Sequence, residues 1–160
     1  MIRRDAIVGI GGFDEDIYGA DDWDLFIRLA KQAPVAVSPH HEVYYRIVKG
    51  SGSAQVEKIE QGCLKVVNKA FKIAPLELQP LQNKSLGIVY QYLCFRTLEE
   101  AAQQSSGLQA IRYFNKSYRC SPELWGFPTL SKFFLRAFII ALLPPKLSRV
   151  ITIKMRQCFS

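Results

Sequence analysis

At 160 residues and 18.2 kDa the chain is about one domain long, and 49% hydrophobic with 22% charged residues is a globular composition, not a disordered one. Four cysteines, Cys63, Cys94, Cys120 and Cys158, stand apart with no CxxC pair, which argues against a zinc site or a dense disulfide framework and suits reduced thiols in a cytoplasmic protein. The net charge of +7 is uneven: residues 1–58 hold nine acids and seven bases, and the remainder five acids and fourteen bases.

In chain order, MIRRDAIVGIGG does not read as a signal peptide, because Asp5 and the glycines break its apolar run. Residues 3–9 read as a short helix, ended by Gly11-Gly12, and Phe13 to Asp16 as a loop. Asp21 or Asp22 is placed to cap a helix running to about Gln32. Its apolar residues Trp23, Phe26, Ile27 and Ala30 share one face. Pro34 follows. Val35–Val37 and Glu42–Arg46 read as two short strands, and Lys49 to Ser53 as a loop or linker.

Beyond that point the pattern is helical. Helices are expected over 54–73, 84–104, 108–119, 129–143 and 146–157, with Ser105-Ser106-Gly107, Ser121-Pro122 and Pro144-Pro145 as breaks. The pair at 84–119 resembles a helical hairpin of the tetratricopeptide sort, which cannot bury its own face and must pack on something. The expected organisation is a mixed segment over 1–53, a helical region over 54–126 and a basic amphipathic tail over 127–160. The longest apolar run, Ala137 to Leu143, is too short to span a membrane, which takes about 20 residues.

The informative stretch is GGFDEDIYGADDWDLFIRLA at 11–30, with six acids between Asp14 and Asp24. Carboxylates this close repel one another, whereas a site that handles cations, hydroxyls or sugars can use them. On spacing alone, Asp21 and Asp22 suit the amides and dipole of a helix start equally well. Asp24 and Arg28 stand at i, i+4, the spacing of an ordinary helical ion pair.

The combination of GGFDE, the pair Asp21-Asp22 and WDL-x-x-RLA resembles family 2 (GT-A type) glycosyltransferases and the related galactosyltransferase C-terminal segment. Arg3-Arg4 upstream, and Val43-Tyr44-Tyr45-Arg46 with Ser51 and Ser53 downstream, extend the resemblance over residues 2–53. It implies the C-terminal, acceptor-side α/β fragment of a GT-A (nucleotide-diphospho-sugar transferase) fold, followed by a mostly α-helical tail. It also implies inverting transfer from a nucleotide-sugar to a hydroxyl of a carbohydrate or lipid-linked acceptor, as in polysaccharide biosynthesis. Asp22 matches the family's base and Asp21 its partner, where the family pair is usually Glu-Asp. Asp14 and Glu15 match the acceptor loop and Arg46 the arginine near the diphosphate. Trp23 serves either as an acceptor wall or as core.

A divalent cation, Mg or Mn, belongs to the complete enzyme in this resemblance. The chain itself offers no metal ligands: Val48 stands where the family often has a histidine, and His40 and His41 are adjacent and cannot easily chelate one ion. Asp14-Glu15-Asp16 fits the D-x-D pattern formally but in the wrong place. The donor-binding half is expected to lie outside this sequence, leaving the isolated chain inactive and exposing the face that meets that half. The alternative is a non-catalytic helical remnant that binds a membrane surface or a partner. The basic, aromatic-rich residues 129–157 either pack on the hairpin or lie at the inner face of a membrane; nucleic acid is not expected as a partner.

Overall fold

A computed structural model describes residues 2–40, 56–100 and 104–143. Among these residues six α-helices run α1 Arg4–Gly9, α2 Asp21–Ala30, α3 Val56–Lys72, α4 Leu81–Glu100, α5 Gln104–Cys120 and α6 Phe127–Leu142. Short 3-10 turns at Leu76–Leu78 and Pro122–Leu124 lead into α4 and α6.

There is no strand among the described residues, so the α/β expectation is not met there. Val35–Val37 forms no strand among the described residues, and Val35 and Val37 are exposed. Valine suits a pleated surface, but a strand exists only where a second one completes its ladder. The other expected strand, Glu42–Arg46, lies outside the described residues, as do the 50–53 boundary, His41 and the helix expected at 146–157.

The chain forms two compact units, Met1–Pro75 and Leu76–Ser160. α3 packs on α2 within the first unit. Its Val56, Ile59, Cys63, Val66 and Val67 fall on one helical face and are buried with Ile17, Ala20 and Leu25. The same face carries Gly62, where an added Cβ would lie 2.1 Å from the Tyr18 carbonyl oxygen. Glycine costs a helix roughly 1 kcal/mol against alanine. Here it lets the loop before α2 rest directly on α3.

In the second unit α4 packs on α5 and α5 on α6. Val89, Leu93, Cys94 and Leu98 of α4 meet Ala110 and Tyr113 of α5 in the interior. Phe114, Trp125 and Phe133 add a ring cluster, with Phe114 centred 4.7 Å from Trp125 and 5.0 Å from Phe133. The buried Ser117 hydroxyl donates to the Gly87 carbonyl at 2.8 Å and accepts from the Trp125 indole N–H at 2.8 Å. That satisfies groups whose burial would otherwise be costly. The break expected at Ser105-Ser106-Gly107 is corrected: these residues lie in the first turn of α5. Serine and glycine are tolerated in a first turn, where backbone N–H groups lack helical partners in any case.

Candidate functional site

The acidic segment is built from α1 onward. α1 ends at Gly9, and Gly11 and Gly12 follow at φ +82° and +74°, which side chains rarely adopt. The chain turns back there, and the Ile10 and Gly12 carbonyls point at Arg28 of α2. The Arg28 guanidinium donates to them at 2.8 and 2.7 Å, and to Asp24 Oδ2 at 2.7 Å. The helical ion pair expected between Asp24 and Arg28 therefore forms, within a larger network.

Two of that network's members come from α3. Lys69 Nζ lies 2.6 Å from Asp14 Oδ2 and 2.8 Å from Asp24 Oδ1. Lys65 Nζ donates to the Asp16 carbonyl at 2.7 Å. Lys58 sits over the Tyr18 ring, 5.5 Å from its centre. Lys58, Gly62, Lys65 and Lys69 follow spacings of four, three and four, so a single face of α3 holds the whole acidic loop. Asp24 is only 3% exposed, and a carboxylate this deep needs both cations. The Lys69 ammonium and the Asp16 N–H hold the Asp14 carboxyl below the ordinary range. Asp14 and Asp24 together raise the Lys69 ammonium above its usual value.

The six acids are thereby sorted. Asp14 and Asp24 are bound to cations, whereas Glu15, Asp16 and Asp22 keep exposed side chains and Asp21 a half-buried one. Asp21 and Asp22 do not cap α2: Ala20 occupies the cap position and makes no side-chain bond. Both lie inside the first turn, where negative charge favours the helix dipole. Asp22 Oδ1 accepts from the Trp23 N–H at 2.8 Å. Asp22 also stands close enough to Cys63 to act on it: burial first, and then the Asp22 charge, push that thiol up to about 11. Cys63 stays a protonated, unreactive thiol at neutral pH.

The apolar face expected to anchor α2 points outward. Trp23 is 38% exposed, Phe26 52% and Ile27 41%, while Leu25 and Asp24 are the buried pair. Periodicity identified the larger stripe, but the Lys69 and Arg28 network rotates Asp24 inward and the stripe away. Trp23 and Asp22 are thus adjacent, exposed and on one end of α2. His40 is an exposed loop residue and Arg46 lies outside the described residues.

The α3 clamp was absent from the sequence reading. The available signal was the Lys58, Gly62, Lys65, Lys69 spacing, with a glycine inside a helix that otherwise needs none. Among the described residues no group of three His, Cys, Asp or Glu side chains converges to hold a metal ion.

The family described as glycosyltransferase like family 2 matches residues 1–97. The match takes in the acidic segment, α3 and most of α4. No curated protein and no solved structure matches the chain.

Proposed function

This chain belongs to the glycosyltransferase-like family 2, and from that membership we propose that it carries the acceptor side of an inverting sugar transfer from a nucleotide-sugar. Asp22 is the base. Its carboxylate takes the proton of an acceptor hydroxyl as that oxygen attacks the anomeric carbon. The bond from that carbon to the diphosphate breaks, and its electron pair leaves with the nucleoside diphosphate.

The observation that carries the reading is the sorting of the acids. A base must be ionised and reachable. Asp22 is exposed and bound to no cation among the described residues, whereas Asp14 and Asp24 are held by Lys69 and Arg28. The half-open Trp23 ring offers a flat apolar wall for a sugar ring beside the base. Glu15 is free to accept from acceptor hydroxyls, while Asp14 shapes the loop through Lys69. Arg46 is assigned to the diphosphate by resemblance. The exposed stripe of Trp23, Phe26 and Ile27 suits contact with a donor-binding half.

The test is Asp22→Asn in the enzyme assembled with its donor-binding half. Turnover should fall by roughly 10²- to 10⁴-fold, the range for a positioned base, with the circular dichroism melt unchanged. Unaltered turnover would remove Asp22 from the base role.

A further inference from the structure

Helix α6 buries only one of its two apolar sides. Phe133, Ala137 and Ile140 enter the interior of the second unit. A second side, roughly a third of a turn around the helix, carries Phe127, Phe134, Phe138 and Leu142, at spacings of seven, four and four, which places them on one face. All four are exposed, Phe127 at 83% and Phe138 at 64%. Beside them Ile111 of α5 closes a shallow apolar groove with Phe134, Leu135 and Phe138. A contiguous exposed apolar patch marks an interaction surface.

The surrounding charge decides what the partner is. Residues 104–143 contain five bases and one acid, Glu123, whose carboxylate accepts from the Ser121 hydroxyl. Lys132 and Arg136 lie on α6 itself. Residues 144–160 add Lys146, Arg149, Lys154 and Arg156 and no acid. That segment carries the same sign of charge as α6 itself. A second copy docked through the same face would also set like against like, because a two-fold interface pairs identical patches. A surface with an apolar interior and anionic headgroups matches both features. No described helix is long and apolar enough to cross a membrane, so α6 would lie along such a surface.

We propose that the exposed face of α6 docks on an anionic lipid surface, with Phe127 and Phe138 entering the boundary between headgroups and acyl chains and Lys132 and Arg136 meeting lipid phosphates. This stands independently of the role given to Asp22.

Flotation of the full chain with vesicles tests it, comparing phosphatidylcholine alone with phosphatidylcholine containing phosphatidylserine, at low salt. The chain should float with the anionic vesicles only. Phe127→Ser and Phe138→Ser should each weaken binding about tenfold, since each removes a large apolar side chain from the lipid. Lys132→Glu and Arg136→Glu should each weaken it roughly fivefold or more. The two phenylalanines are exposed, so their variants should keep the parent melt. No flotation with anionic vesicles, equal flotation with both compositions, or binding indifferent to these variants would overturn the proposal. So would a concentration-dependent dimer, seen by light scattering, that the phenylalanine variants disperse, because a second copy would then occupy the face.

Discussion

In the first unit the deepest charged group, Asp24, is matched by Arg28 and Lys69, and the residues around it are small aliphatics such as Val66, Val67 and Ile17. In the second, the interior is built of stacked and edge-on rings around Phe133, with Ser117 satisfying the few polar groups that must be buried. The first unit leaves aromatic side chains outside and takes charge inside. The second buries a ring cluster at its centre, while Phe127, Phe134 and Phe138 stay exposed. A unit that must present unmatched carboxylates at one end of a helix cannot rely on apolar burial there, so its geometry is set by directional ionic contacts. A unit with no such demand is set by packing.

The largest effect should come from the ring cluster. Phe133 is fully buried, and Phe133→Ala should destabilise the second unit by about 3–5 kcal/mol through lost burial and the cavity left behind. Hydrogen exchange, which reports each unit separately, should show α4–α6 losing protection. An equal loss in α2 and α3 would mean that the two units unfold together and that the contrast between them is only one of composition.

Next comes the clamp. Lys69→Met keeps the length of the side chain and removes its charge, leaving Asp24 with Arg28 alone and Asp14 with no cation. Because Lys69 is part-exposed and Asp24 keeps Arg28, a loss of about 1–2 kcal/mol is expected, confined to exchange protection in α2 and α3. A neutral result would mean that the acidic loop is held by Gly62 packing and Arg28, and that ionic contacts do not set the first unit.

The smallest effect is on pH dependence, and its sign differs at the two extremes. The Asp14 carboxyl is held below its ordinary 3.8, so its contribution is present above that value and is lost as pH falls through the lower folded one. The Lys69 ammonium is raised above its ordinary 10.5, so its contribution is present below 10.5 and lost as pH rises through the higher folded one. Trp23 belongs to the first unit and Trp125 to the second, and Trp23→Phe isolates the latter signal. Trp23 fluorescence should respond to acid and to strong base before Trp125 fluorescence does. Simultaneous transitions would contradict the assignment of ionic contacts to the first unit alone.

Much of this was legible in the sequence. The helices over 4–9, 56–72 and 127–142 lie within two residues of their expected bounds, whereas the one expected at 84–104 runs over 81–100. The Asp24–Arg28 pair was also legible, because its two members are one helical turn apart. Which side of α2 faces inward was not. Trp23, Phe26 and Ile27 form its larger apolar stripe, yet burial follows Leu25 and Asp24. The partner that draws Asp24 inward, Lys69, lies in a different helix, 55 residues from Asp14 along the chain.

By itself, then, the sequence determined which described segments are helical, which half is acidic and which basic, and the family to which the acidic segment belongs. Those properties depend on neighbours a few residues apart or on motifs read directly. The tertiary structure alone decided which of six carboxylates are matched and which stand open. A charge is neutralised by whatever lies within a few ångströms in space, and folding, not sequence separation, brought α3 to the acidic loop.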